Sequence, residues 1–323
     1  MASQASFKPG LGMQLRILVT SVLVFGLVAA IIGAILYWSE IAGSGSVFFW
    51  LLVSLVMIGV QWYFGPNIIK WAAGAKELKR ENAPEMFEIV ESLAEKSGLP
   101  MPKLYLVNDP SPNAFAFGRT QSDSNIAVHT GLLHMLSKDE VEGVLAHELG
   151  HINNRDVAVM TLASVIPVML YYAVLIFTPR GRDSRGFGIG ELVGAFVAQF
   201  IGQLAVMWLS RQREYFADEF AARLTGRPES LMGALAKISY GAAAGKAHAG
   251  SGSMVRALYF AEPESSKVAV MEIAGAIRSG NESALAEAIE KEKKRGGFEL
   301  LMTHPLTAKR LGNLLRIKKE MAA

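Results

Sequence analysis

Cysteine is absent from this chain of 323 residues. Without thiols the protein forms neither disulfide bonds nor thiolate metal sites. Any zinc would therefore be held by histidine and carboxylate side chains, the ligand set of catalytic rather than structural sites. Charge is also scarce: charged residues make up 19% of the chain and the formal net charge is only +3. This balance gives no indication of a nucleic-acid partner.

Apolar residues, in contrast, make up 51% of the chain and include four long uncharged runs. The runs are residues 17–38, 47–64, 157–178 and 192–210, and Pro167 is expected to interrupt the third. Runs of this length predict helices that cross a bilayer, and we expect a multi-pass membrane protein. A cleaved signal peptide is the alternative for the first run, although the run is long for one and a second follows closely. The last two runs have another alternative, a hairpin that packs on the soluble domain or only dips into the membrane.

Basic residues predict how the first two runs are oriented. The connection between these runs carries only Glu40, and the basic residues lie outside it: Lys8, Arg16, Lys70, Lys76, Lys79 and Arg80. Both ends of this N-terminal hairpin should therefore face the cytoplasm. The loop between the last two runs carries Arg180, Arg182 and Arg185. If both of those runs span, as we expect, this loop lies outside, against the positive-inside rule.

The stretch His147-Glu148-Leu149-Gly150-His151 is an H-E-x-x-H pattern. Ser137 and Glu140 form a capping-box signature upstream, which predicts that the pattern lies on a helix. Positions i and i+4 share one helix face, so both imidazoles can bind one zinc ion. Glu148 is adjacent to the first ligand and within reach of a zinc-bound water, as a general base requires. The alternative is a pair of surface histidines on an amphipathic helix.

A zinc site with two histidines needs a third protein ligand, and Glu214 is the candidate. The run 157–178 begins shortly after His151, and the run 192–210 ends shortly before Glu214. If these two runs form an antiparallel pair, Glu214 returns to the level of His151. Asp218, one turn further on, could accept a hydrogen bond from a ligand imidazole. The alternative is a solvated acidic face paired with Arg211 and Arg213.

Between residues 84 and 130 the pattern predicts a helix over residues 84–97 and three strands, over 103–107, 113–118 and 125–130. An exposed edge of such a sheet can bind an extended peptide, although an ordinary structural hairpin has the same pattern. Further helices are predicted over 229–243, 267–278 and 283–294. His129 and His134 show no ligand-like spacing and are interpreted as structural, whereas spacing alone leaves His304 ambiguous.

The segments HELGH, REYFAD, NAFAFG and THP together resemble the HtpX-type membrane zinc metallopeptidases, gluzincins related to the CAAX prenyl endopeptidase. The resemblance implies one zinc ion per chain, polypeptide substrates that include membrane or misfolded proteins, and a role in protein quality control under stress. It also implies a bacterial inner-membrane protein whose active site faces the cytoplasm. The implied roles are zinc ligands His147, His151 and Glu214; general base Glu148; a hydrogen-bonding partner of the ligands, Asp218; a substrate-binding edge strand with Asn113, Ala114, Phe115 and Ala116; and a second catalytic residue, His304.

The expected fold is mainly α with a small β-sheet, a multi-pass membrane protein with a gluzincin-like zinc peptidase domain. We expect an N-terminal transmembrane hairpin (1–66), a first catalytic part (67–156), a second hydrophobic hairpin (157–210) and a second catalytic part (211–323). Two rival functions remain open, an intramembrane metalloprotease and a catalytically silent zinc-binding scaffold. Asn153, Asn154, Arg155 and Asp156 follow the motif directly, and this polar context favours a site at or outside the membrane surface.

Overall fold

The structure is a computed structural model that describes residues 47–178, 188–244, 267–295 and 299–322. The predicted membrane run 17–38 and the basic loop 179–187 lie outside the described residues. The helices and strands that it describes are α1 (Val47–Ala73), β1 (Lys76–Glu77), α2 (Pro84–Ser97), β2 (Lys103–Val107), β3 (Ala114–Gly118), β4 (Ser124–His129), α3 (Thr130–Met135), α4 (Lys138–Asn153), α5 (Asp156–Ala163), α6 (Val165–Phe177), α7 (Ile189–Thr225), α8 (Pro228–Ala244), α9 (Lys267–Ser279), α10 (Glu282–Arg295) and α11 (Thr307–Ala322). This mainly helical chain with one small sheet confirms the predicted fold class.

Local sequence signals determine where the helices around the site begin and end. Helix α4 begins at a capping box: the Ser137 side chain accepts from the Glu140 amide, and the Glu140 side chain accepts from the Ser137 amide. Helix α2 has Pro84 at its start and ends at Gly98, which adopts a left-handed conformation with φ of 67°. The first backbone amides of the motif helix are thus satisfied by residues adjacent in the sequence.

The four strands form one sheet in the order β1-β2-β4-β3. Strand β2 is parallel to β4, and β3 is antiparallel to β4 at the edge of the sheet. One face packs in the main core with α2 and α4, and the other forms a small second core against the end of α1. Because side chains alternate along a strand, β3 contributes Ala114 to the first core and Phe115 and Phe117 to the second.

Three described helical segments are long and apolar enough to cross a membrane: Phe49–Ala73, Asp156–Phe177 and Ile189–Thr225. The second is broken between α5 and α6 at Ser164, whereas the sequence predicted an interruption at Pro167. Proline is accommodated in the first turn of a helix, where its missing N–H has no partner to lose, so the break comes before it. Helices α6 and α7 approach closely where Gly202 meets Pro167.

Helix α7 continues without interruption past its apolar part and carries a polar end onto α4. A Cβ added at Gly150 would lie 2.9 Å from the Cα of Ala217, so the two helix backbones are almost in contact there. Only glycine allows this approach, since real Cβ contacts are longer. The close crossing lies between the motif on α4 and Glu214 on α7.

Candidate active site

Three side chains from two helices converge beside the crossing. Helix α4 provides His147 and His151, and helix α7 provides Glu214. The Nε2 atoms of the histidines lie 3.2 Å apart, and the two oxygens of the Glu214 carboxylate each face one of them: Oε2 lies 3.6 Å from His147 Nε2, and Oε1 lies 3.6 Å from His151 Nε2. A tetrahedral metal with ligands at about 2.0–2.1 Å sets those ligands about 3.4 Å apart. The structure therefore brings the three predicted ligands together at the spacing that such a metal requires.

Carboxylates lie beside the other nitrogen of each ring. His147 Nδ1 lies 3.0 Å from Asp218 Oδ1, and His151 Nδ1 lies 2.5 Å from Asp156 Oδ2. When each Nδ1–H donates a hydrogen bond to its carboxylate, each Nε2 is unprotonated and has a lone pair that faces the other ring. Two lone pairs 3.2 Å apart repel each other unless a cation lies between them. This donor set fits a bound metal ion.

The charge around the centre is negative. Four carboxylates face two guanidiniums, namely Glu148, Asp156, Glu214 and Asp218 against Arg213 and Arg310. A divalent cation balances the two negative charges that remain. The same field acts on His147: burial lowers the pKa of this imidazole, but Asp218 and Glu214 outweigh burial and raise it to about 9. The site thus favours positive charge.

Arg310 on α11 joins the C-terminal helix to this cluster. Its side chain is 1% exposed, and its Nε and Nη2 donate to Asp218 at 2.9 and 2.6 Å. Its Nη1 lies 3.0 Å from Glu214 Oε2. Burial lowers the pKa of the guanidinium, but the carboxylates of Asp218 and Glu214 raise it further, so Arg310 stays charged. Sequence analysis missed Arg310, although its spacing with the buried Leu314 and Ile317 places it on the apolar stripe of α11.

Glu148 is held by the edge strand. Its Oε2 accepts a hydrogen bond of 2.6 Å from the backbone amide of Ala116 in β3. Among the described residues, no donor lies within hydrogen-bond distance of Glu148 Oε1. Burial raises the pKa of Glu148, while the imidazoles of His151 and His147 lower it. One carboxylate oxygen is thus fixed, and the other is available to a ligand in the cleft.

A cleft of about 270 Å³ connects β3 with the metal-binding cluster. Ala114, Phe115 and Ala116 line it, together with Glu148 and His151. The outer side of β3 has no strand partner in the described sheet, and the Ala116 amide points outwards to Glu148. Asn113 differs from the other predicted substrate residues: it is fully buried before β3 and is not part of the cleft lining.

His304 lies beside a predicted ligand rather than across the cleft. Its Nδ1 is 3.2 Å from Glu214 Oε1, and its side chain, 28% exposed, lines the cleft. His129 is buried on the far face of the sheet, where its Nδ1 lies 3.1 Å from Ser111 Oγ. The structure thus brings His304 to the cluster and keeps His129 away from it.

The alternative of a solvated acidic face is wrong, because Glu214 and Asp218 are both buried. Arg213 pairs with Asp156 instead. Arg211 donates to the backbone carbonyls of residues 299, 300 and 302. Asp156, which contacts His151, was not predicted as a site residue; its position five residues after His151, at the start of α5, was the available signal.

Comparison with known proteins agrees with this fold. The sequence model of Peptidase family M48 matches residues 80–318. A protease HtpX homologue from Methanothermobacter thermautotrophicus is 36% identical over 226 residues, 70% of this chain and 85% of that protein. One from Pyrococcus abyssi is 35% identical over 97% of this chain and 98% of that protein. The crystal structure of S. mikatae Ste24p matches with a TM-score of 0.55 at 18% identity, over 93% of this chain and 66% of that one, a likeness of fold alone.

The fold, the apolar helices and these matches define a membrane-associated metalloendopeptidase. The cluster of His147, His151 and Glu214 fits its metal site. The chain belongs to Peptidase family M48, and within it to the HtpX-type membrane metalloproteases. The family resemblance read from HELGH and its companion segments is thereby confirmed.

Proposed function

We propose that this protein is a zinc endopeptidase that cleaves membrane or misfolded polypeptides in protein quality control. Zinc is bound by His147, His151 and Glu214, and the active site faces the cytoplasm of a bacterial inner membrane. The observation that carries the proposal is the pair of imidazole Nε2 atoms 3.2 Å apart, each 3.6 Å from an oxygen of the Glu214 carboxylate, beside the Glu148 carboxylate. Imidazole and carboxylate ligands without thiolates are typical of catalytic zinc.

Glu148 is the general base in this mechanism. When bound, zinc supplies the Lewis acid that polarises the scissile carbonyl and lowers the pKa of the attacking water. Glu148 takes the proton of that water and delivers it to the leaving amine. The anchoring of Oε2 by the Ala116 amide supports this role, since it leaves Oε1 for the water. Burial, which raises the pKa of Glu148, helps the carboxylate retain the proton between the two transfers.

The substrate binds as an added strand along β3. Ala114, Ala116 and Gly118 alternate with the residues that face β4, so their outward backbone groups, apart from the Ala116 amide that Glu148 accepts from, are available to an extended peptide. Such a strand places its scissile bond beside Glu148, because the Ala116 amide already contacts that carboxylate. His304 lines the same cleft and is the candidate donor for the developing oxyanion.

The site lies at the level where the membrane helices begin. Helix α5 starts at Asp156, which contacts the ligand His151, and the apolar part of α7 ends before Glu214. This supports a catalytic domain at the membrane surface rather than within it. The basic residues after α1 support a cytoplasmic orientation. Because the chain has no cysteine, single introduced cysteines labelled with an impermeant maleimide report this orientation without background.

The decisive experiment is casein proteolysis in detergent, with a chelator and zinc add-back. Glu148→Gln should lower the rate by about 10²–10⁴-fold and keep the zinc, because the ligands are unchanged. Glu214→Ala should lose zinc, as measured by elemental analysis. Full activity of Glu148→Gln would refute the assignment of Glu148 as the general base. An unchanged zinc content in Glu214→Ala would show that Glu214 is not a zinc ligand. A wild-type protein that binds zinc but cleaves nothing would instead be the silent scaffold.

A further inference from the structure

Arg155 adopts a conformation that glycine favours. With φ of 54°, it is the single non-glycine residue of positive φ among the described residues. Its amide donates to the Ile152 carbonyl at the end of α4, and its carbonyl accepts from the Val159 amide of α5. The corner between the two helices therefore imposes this backbone. Non-glycine residues in such positions are strained, and strain of this kind is concentrated at functional sites.

Three arginines line the cleft, and Arg155 differs from the other two. Arg213 is paired with Asp156, and Arg119 is paired with Asp123 and packs over the Tyr63 ring at 4.9 Å. No carboxylate lies within 4.0 Å of Arg155 in the part of the chain that the structure describes. Its side chain is exposed. Arg155 thus lines the cleft with an exposed side chain that pairs with no described carboxylate, at a position where glycine would have no strain.

The position of Arg155 along β3 is known from one hydrogen bond. Gln121, in the loop after β3, donates from Nε2 to the Asn153 carbonyl at 3.0 Å. This contact places the start of α5 at the Gly118 end of β3, beyond the Ala116–Glu148 contact. A peptide added antiparallel, the commoner pairing, runs from the Gly118 end towards Ala114. Its residues before the scissile bond therefore pass Arg155.

We propose that Arg155 determines specificity by binding an acidic side chain of the substrate on the N-terminal side of the scissile bond. The proposal rests on the proposed peptidase function and adds the class of sequence that is cleaved. A carboxylate pairs well with the planar guanidinium fork, which presents two parallel donors. The nearest acid of the chain, Asp156, does not compete because it contacts His151 and Arg213.

A lipid phosphate is the other anion within the chemistry of this guanidinium, because the apolar helix α5 begins one residue later. The substrate is favoured because Arg155 lines the same cleft as Glu148, His151 and Glu214. A residue that served only to anchor the helix at the membrane surface would not need to face that cleft. A membrane anchor would also not require the strained backbone of residue 155, since positions 157 and 159 on the following turn are exposed and carry no such strain.

The test uses the full chain in detergent and a matched pair of quenched peptides. The pair is built on a casein cleavage site mapped by mass spectrometry, with Glu or Gln at each of the three positions before the scissile bond. Wild type should prefer Glu at one of them by about fivefold in kcat/KM, mainly through KM, and added salt should reduce the preference. Arg155→Gln should reduce the ratio to about one, and Arg155→Lys should retain part of it.

Arg155→Gly separates the two roles of this position. It should lose the Glu preference and yet raise the unfolding midpoint by about 2–4 °C, because glycine removes the strain. Arg316→Gln, which removes an exposed guanidinium on α11, is the matched control and should keep the ratio. Equal cleavage of both peptides by wild type, or a ratio that survives in Arg155→Gln, overturns the proposal.

Two further outcomes are distinguishable. If wild type cleaves neither casein nor any peptide with zinc present, the peptidase function itself fails. If the peptide ratio is one, and Arg155→Gln changes activity only in nanodiscs that contain phosphatidylglycerol, Arg155 contacts lipid and the specificity proposal is wrong. Nanodiscs of phosphatidylcholine alone are the control for that measurement.

Discussion

Replacing Gly150 by alanine tests whether the helix crossing sets the metal geometry. The added Cβ would lie 2.9 Å from the Cα of Ala217 and 3.2 Å from its Cβ and carbonyl oxygen. Carbon atoms in contact prefer about 3.5–4.0 Å, so α4 and α7 must separate by about 0.6–1 Å. The proposed ligands His147 and His151 lie on one of these helices, and the proposed ligand Glu214 lies on the other. The separation therefore moves the Glu214 carboxylate away from the two imidazoles.

The magnitudes predict a loss of metal affinity without a large loss of stability. Overpacking costs about 1–3 kcal/mol, but alanine is favoured over glycine within a helix by about 1 kcal/mol, and the two effects partly offset each other. Metal–ligand distances tolerate only about 0.2 Å, so the shift is several times too large. We expect Gly150→Ala to raise the zinc dissociation constant by about 10–100-fold while lowering the free energy of unfolding by about 0–2 kcal/mol.

The assay is competition for zinc with a chromogenic chelator, alongside denaturant unfolding of the metal-free protein. Gly194→Ala, whose Cβ would meet Val174 at an ordinary 3.6 Å, is the control and should bind zinc as wild type does. Adding Ala217→Gly to Gly150→Ala should recover little, because the nearest atom is the Ala217 backbone. Wild-type zinc affinity in Gly150→Ala would refute the argument that this crossing positions Glu214.

Two further predictions concern buried charges. Arg310→Met leaves the Asp218 and Glu214 carboxylates buried without the guanidinium that pairs with them. In urea titrations it should lower the free energy of unfolding by about 3–5 kcal/mol in the absence of zinc and by less in its presence. The control Arg316→Met, at an exposed position, should change it by under about 0.5 kcal/mol. Burial lowers the pKa of His129, so below about pH 6.5 the unfolded chain binds a proton at this residue that the folded chain does not. The folded state is therefore destabilised relative to the unfolded state as the pH falls below that value. His129→Gln should therefore weaken the loss of stability between pH 7 and 5, whereas His134→Gln should leave it unchanged; equal pH profiles for wild type and His129→Gln would contradict this.

Much of the fold follows from short-range patterns. The predicted bounds 84–97 and 103–107 match α2 and β2, because proline, glycine and strand alternation are local signals. The other two predicted strands and the helices predicted over 229–243, 267–278 and 283–294 match within one residue for the same reason, whereas α1 and α7 continue well past the apolar runs 47–64 and 192–210. The break before α6 lies at Ser164 rather than at the predicted Pro167, since a proline alone does not show how many residues before it the preceding helix ends.

The sequence by itself determined the two histidines and Glu148, because one helical turn brings i and i+4 together wherever that helix lies. It also indicated Glu214, because two apolar runs of similar length form an antiparallel helix pair whose far end returns to the level of His151. Only the tertiary structure decided that Arg310 contacts the carboxylates of Glu214 and Asp218, and that the Ala116 amide holds the Glu148 carboxylate. Those contacts join residues 32 to 96 positions apart through helix crossings and a sheet edge, whose positions depend on packing of the whole core rather than on any local pattern.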